Sequence, residues 1–144
     1  MRVKDVISSK GNDAVYTIRP EATIRELLET LAEHNIGALI VSTDGTTMAG
    51  IVSERDVVRK LRSVENLREQ TVDTIMTSDV LTCSPEDSIT DLLSLMTERR
   101  VRHMPVLDEE RLLAVISIGD AVKFRMDQLK FERDQLNDYV ASAQ

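Results

Sequence analysis

Val15-Tyr-Thr-Ile-Arg-Pro-Glu-Ala-Thr-Ile24 and Val80-Leu-Thr-Cys-Ser-Pro-Glu-Asp-Ser-Ile89 are one stretch written twice, 65 residues apart. From Val15 to Val41, nine of 27 positions are identical at that shift: Val15, Thr17, Pro20, Glu21, Ile24, Leu27, Leu28, Glu33 and Val41. After a turn one residue shorter the shift becomes 64, pairing Gly50-Ile-Val-Ser-Glu-Arg-Asp56 with Ala114-Val-Ile-Ser-Ile-Gly-Asp120. Upstream, Val3-Lys-Asp-Val-Ile-Ser8 matches Val72-Asp-Thr-Ile-Met-Thr77. Such ordered agreement makes the chain two copies of one unit, and everything else is read per copy.

Each copy spells the same series of elements. A short amphipathic turn (3–7, 72–76) leads into an extended segment that ends at Pro20 or Pro85. Thr23 and Ser88 are N-cap residues, with an acid three positions on, the capping-box spacing. Ile24, Leu27, Leu28, Leu31 and Ile89, Leu92, Leu93, Met96 then recur at i, i+3, i+4, i+7, the stripe of an amphipathic helix. Two hairpins follow, 38–41 with 48–52 around Thr43-Asp-Gly-Thr46, and 104–107 with 112–116 around Asp108-Glu-Glu110. Ser53 and Ser117 cap the closing helices. The expected fold class is α+β (α/β), β-α-β-β-α twice. Residues 1–62 form the first repeat, 63–71 a polar linker, 72–124 the second repeat and 125–144 a helical extension. From Gly119 to about Val140, Val122, Met126, Leu129, Leu136 and Tyr139 recur at helical steps interrupted by Arg133. The stripe suits a helix folded back on its own domain, or one packed on a second subunit.

Composition narrows the function. The 144 residues carry 18 Lys+Arg against 25 Asp+Glu, a formal net charge of −7. Duplex nucleic acid needs a basic stripe, which this balance disfavours. Tyr16, Phe124, Phe131 and Tyr139 are the only aromatics, too few for a platform that stacks single strands. No apolar run approaches the roughly 18 residues of a membrane span, and the N-terminus lacks a signal-peptide core. Cys83 is the only cysteine and has no internal partner, so a reducing cytoplasm is the expected location.

Two constellations stand out as chemistry. Ser53/Asp56 and Ser117/Asp120 repeat as Ser-x-x-Asp at a strand-to-helix junction. The plain reading is an N-cap with an acid at N3. Against it, Asp is short for the reciprocal role that Glu or Gln usually takes in a capping box. Amides and a hydroxyl at a helix start also suit a phosphate, and an acid one turn in suits a ribose diol. The second constellation, Glu98-Arg-Arg-Val-Arg-His-Met-Pro105, packs four basic-type side chains into five positions. Arg99 and Arg100 read as a solvated helix end. Arg102 and His103 lie beyond it, and Arg suits bidentate phosphate contacts. The matching stretch, Asn35-Ile-Gly-Ala-Leu39, is uncharged, so two sites built this way are not equivalent. No metal-ligand spacing, P-loop, nucleophile elbow or triad pattern is present, which points away from an enzyme.

The duplicated unit, with Thr17-x-x-Pro20, Thr82-x-x-Pro85, Arg102-His-Met-Pro105 and Gly50-Ile-Val-Ser-Glu-Arg-Asp56, resembles the cystathionine-β-synthase (CBS) domain. The whole chain from Val3 to about Phe124 resembles a stand-alone CBS pair, or Bateman module. That resemblance implies two repeats packed with pseudo-twofold symmetry. It also implies a regulatory module that binds adenosine-containing ligands, AMP, ADP, ATP, NAD(H) or S-adenosylmethionine, and takes part in signal transduction or energy sensing. Its Gly-h-x-Ser/Thr-x-x-Asp pattern, in which h is a hydrophobic residue, implies ribose contact by Asp56 and Asp120, with Ser53 and Ser117 at the ribose or phosphate. Each cleft would borrow from the other repeat. Asp56 would face Thr77, Val101, Arg102, His103, Met104 and Pro105, with Arg55 beside it. Asp120 would face Ser8 and the stretch Ile36–Leu39, which includes Ala38. With so few aromatics, adenine is expected among aliphatic groups such as Ile51, Val115 and Met104. A homodimer and an effector protein are the implied partners. The rival expectation is a ligand-free structural or protein–protein adaptor dimer in which the Ser-x-x-Asp pairs are only caps. The family pattern is broken at Ala114, where glycine is expected, at Gly119, where a polar residue is common, and at Ile40, which stands where Pro105 does in the second copy.

Overall fold

A computed structural model describes residues 1–11 and 15–143. In chain order it runs α1 (Val3–Lys10), β1 (Thr17–Ile18), α2 (Ile24–His34), β2 (Ala38–Val41), β3 (Gly50–Ser53) and α3 (Glu54–Leu61). Short 3-10 turns at Leu67–Glu69 and Val72–Thr74 lead to α4 (Ile89–Arg99), β4 (His103–Asp108), β5 (Arg111–Ser117) and α5 (Ile118–Ser142). The mixed class is that expected from the sequence, and so is the element order of the first copy. In the second, the extended segment expected over 80–85 is reduced to a single bridge at Cys83, so that sheet has two strands rather than three.

The two copies agree in their bonding. In the first, β1 runs parallel to β2 with Ile18 opposite Val41, and β2 pairs antiparallel with β3 from Ala38↔Ser53 to Val41↔Gly50. In the second, Cys83 bridges Val106 in parallel, and β4 pairs antiparallel with β5 from His103↔Ser117. The first helix of each copy starts on a side-chain cap, Thr23 Oγ1 accepting from the Glu26 amide and Ser88 Oγ from the Asp91 amide. Each ends on a left-handed residue, Asn35 (φ 52°) or Arg100 (φ 55°). The hairpins close differently: Asp44 Oδ1 accepts from the Thr46 and Thr47 amides, whereas Glu109 and Glu110 both take positive φ. Two consecutive positive φ angles are what a two-residue turn of the primed type demands.

The lead-in segments cross over. Val3 and Val6 are fully buried with Ile89, Leu92, Met96, Met104 and Ile116, in the core of the second copy. Val72 and Ile75 are buried with Ile24, Leu27, Leu39 and Val52, in the core of the first. The backbone repeats this exchange. The Val3 amide donates to Asp87 O (2.9 Å) and the Lys4 amide to Pro85 O (2.9 Å); in the other copy Val72 donates to Ala22 O (2.8 Å) and Asp73 to Pro20 O (3.0 Å). Apolar spacing says that these segments are buried; the core they enter belongs to the other repeat.

The last helix has 25 residues, roughly 37 Å of rod. Ala121 is buried at its root, while every residue from Leu129 to Ala143 is exposed. Among the described residues the distal part is therefore not folded back on its own domain.

Candidate functional site

Both Ser-x-x-Asp pairs stand at the junction of a hairpin and its closing helix, and both are complete capping boxes. The Ser53 amide donates to Asp56 Oδ2 (2.8 Å) and the Asp56 amide to Ser53 Oγ (3.3 Å). Ser117 and Asp120 repeat this at 3.0 Å in each direction. The expectation that Asp is too short to reciprocate is corrected here: at these helix starts its carboxylate reaches the cap amide. The bonds that each carboxylate accepts from its serine fall on Oδ2, so the cap leaves Oδ1 of each acid as a further acceptor.

The Asp56 cleft has a volume of about 180 Å³ and is walled by both copies. Ala38, Ile51, Ser53, Arg55 and Asp56 come from the first, and Thr77, Val101, Arg102 and His103 from the second. Two backbone bonds between Ile51 and Thr77, each 2.9 Å, bring the second lead-in to this edge. They also explain Gly50, where a Cβ would lie 2.6 Å from Thr77 O. Arg59, Arg100 and Glu54 line the same cleft and were not anticipated. The sequence places Arg100 at a solvated helix end; its left-handed cap position instead puts it on the cleft wall. Arg59 sits four residues beyond Arg55 on α3, a spacing that could have flagged it. The cleft thus gathers four arginines against two carboxylates.

The Asp120 cleft, about 360 Å³, is lined by Val115, Ser117, Asp120, Ala38 and His103, and also by Lys10, Tyr16 and Ile36. Ser8, expected here, is instead exposed on α1, with its hydroxyl donating to Lys4 O. Lys10 takes its place and was missed; its Nζ lies 2.9 Å from Asp120 Oδ2. Tyr16 brings an aromatic ring to this cleft, stacked on His34 with centroids 3.8 Å apart. Ile51 and Val115 lie in different clefts, and Met104 is fully buried in the second core, so these three do not surround one ligand. Pro105 is likewise buried, in β4.

His103 lines both clefts. Burial lowers its pKa against the opposing pull of Asp120 and Glu54, with Arg102 and Lys10 adding to the lowering. The ring is therefore neutral near pH 7 in the free protein and does not add a fifth cation. Burial raises the Asp120 carboxyl, but the Ser117 amide and the Lys10 ammonium outweigh it and hold the group below its ordinary value. Cys83 is buried, its thiol pushed up to about 12 chiefly by desolvation, which suits a packing residue rather than a nucleophile. Among the described residues there is no cluster of three or more His, Cys, Asp or Glu that could hold a metal, and no helix long and apolar enough to cross a membrane.

A duplicated chain with paired clefts at its Ser-x-x-Asp corners is the architecture of a tandem domain pair. The family model of the CBS domain matches residues 3–63 and again 72–127, and the chain belongs to the CBS-domain family. It is 32% identical over 149 aligned residues to the mitochondrial CBS domain-containing protein CBSX3 of Arabidopsis thaliana, covering 96% of this chain and 71% of that one. A CBS-domain-containing protein from Agrobacterium tumefaciens matches in structure with a TM-score of 0.82 and 36% identity, over 87% of this chain and 99% of that one. A CBS domain protein from Pyrobaculum aerophilum, complexed with AMP, shares the fold at a TM-score of 0.74 and 24% identity, over 83% of this chain and 89% of that one.

Proposed function

We propose that this CBS pair is a regulatory module, not an enzyme, which reversibly binds an adenine nucleotide (AMP, ADP, ATP or NAD(H)) in the Asp56 cleft and passes its occupancy to a partner protein. The observation that carries this reading is the convergence of Arg55, Arg59, Arg100 and Arg102 on the cavity that also holds Ser53 and Asp56. In a chain of net charge −7, four arginines in one cleft suit a small phosphate ligand. The AMP complex of the Pyrobaculum relative supports an adenosine ligand. Because both repeats wall the cleft, a ligand seated there touches both, and one that prefers a particular packing of the two shifts the population toward it.

The adaptor reading has one observation in its favour: the capping boxes satisfy Ser53, Asp56, Ser117 and Asp120 without any ligand. Thermal unfolding separates the two. A ligand at about 100 times its Kd adds roughly 2.7 kcal/mol and raises Tm by several degrees. If AMP, ADP, ATP, NAD and S-adenosylmethionine all leave Tm unmoved at millimolar concentration, nucleotide binding is refuted and the adaptor stands. The exposed stripe Val122, Met126, Leu129, Leu136 and Val140 on α5 supports a homodimer. A cytoplasmic location fits the single, buried, unpaired cysteine.

A further inference from the structure

Lys10 closes α1, whose buried Val3 and Val6 anchor it in the core of the second repeat. Its Nζ donates to Asp120 Oδ2 (2.9 Å) and to the Val115 carbonyl (3.0 Å), and all three residues line the Asp120 cleft. Asp56, in contrast, accepts bonds only from Ser53 among the described residues. The asymmetry is written in the lead-ins. In the register that sets Val3 on Val72, the counterpart of Lys10 is Asp79, an acid that cannot pair with Asp56.

We propose that Lys10 is a built-in occupant of the Asp120 cleft, holding the carboxylate that a ribose diol would need and leaving the Asp56 cleft as the chain's one ready nucleotide site. The inference rests on the nucleotide reading above. Volume alone argues the opposite, because the Asp120 cleft is the larger, about 360 against 180 Å³. A ligand entering it must break a charge-assisted bond to a tethered ammonium, which weakens binding there about tenfold or more. The neighbouring His103, Asp120 and Ser117 then become a polar wall rather than a second receptor. The two similar corners are thereby given unequal affinity by one side chain outside the repeated motif.

Isothermal titration with ATP tests this on the full chain. Wild type should take up one equivalent per chain, with a second at least tenfold weaker. Lys10→Met should strengthen that second equivalent about tenfold, Lys10→Arg should keep it weak, and adding Asp120→Asn to Lys10→Met should remove it. Asp56→Ala should remove the first equivalent and spare the one unmasked by Lys10→Met. Two equal equivalents in wild type, or a second equivalent that Lys10→Met leaves unchanged or weakens, would overturn the inference while leaving nucleotide binding intact. No uptake of ATP by wild type or any variant, and none when the titration is repeated with AMP, ADP and NAD, would refute the nucleotide reading, and this inference with it.

Discussion

Gly37 and His103, from different repeats, meet at the wall that the two clefts share. A Cβ on Gly37 would lie 3.5 Å from His103 Cε1 and 3.4 Å from Glu54 Oε1, and Gly37 and His103 line both cavities. Alanine fits there at ordinary van der Waals contact, but a larger side chain must intrude on the clefts. Gly37→Ala should leave Tm and the ATP-induced shift close to wild type. Gly37→Leu should cut that shift by more than half. A full shift in Gly37→Leu would show that the wall does not border the ligand.

The pH dependence of His103 has a definite sign. Its folded pKa lies below the ordinary value because the ring is partly buried. As pH falls through about 6.5, the unfolded state binds a proton that the native state does not, so stability drops toward the lowered folded pKa. A phosphate nearby favours the imidazolium, so ATP should bind more tightly across the same window as pH falls. His103→Gln should flatten both slopes below about pH 6.5. Unfolding and titration curves that keep their wild-type slopes in the variant would assign the effect elsewhere.

Gly50 and Ala114 occupy equivalent places and should respond unequally. A Cβ at Gly50 would lie 2.6 Å from Thr77 O, in the bridge that joins the repeats. Gly50→Ala should therefore cost about 1–3 kcal/mol through overpacking. At Ala114 the facing lead-in is the α1 helix, which packs by side chains, so the Cβ is accommodated; Ala114→Gly should cost only about 0.5–1 kcal/mol. Equal costs in denaturant titrations would remove this account of why the two copies differ.

Truncation after Gln128 removes only exposed residues of α5. If the apolar stripe joins two chains, the solution mass should fall from dimer to monomer at micromolar concentration, with the far-UV signal of the remainder preserved. An unchanged oligomer would place the dimer contact elsewhere.

Much of this architecture was legible in the sequence, for a physical reason. Helix stripes, caps such as Thr23 and Ser88, and turn residues act locally, and the duplication let each element be read twice. The Asp56 cleft was legible too, since Arg102 and His103 lie just past a helix end, where cap and dipole effects do not explain them. What escaped was nonlocal. Apolar spacing at Val3 and Val6 reports burial but not the partner, and no pattern ties Lys10 to Asp120, 110 residues away. Met104 was misplaced for a simpler reason. Strand alternation sets it opposite to His103, so only one of the two can face a cleft.

The crossed lead-ins mean that neither repeat owns all of its core. Residues 1–62 alone would lack Val72 and Ile75, and a second half begun at 72 would lack Val3 and Val6. A protease cut within the linker should therefore leave two fragments that stay associated and melt together in one calorimetric transition. The duplication has produced a single cooperative body fastened by its exchanged ends.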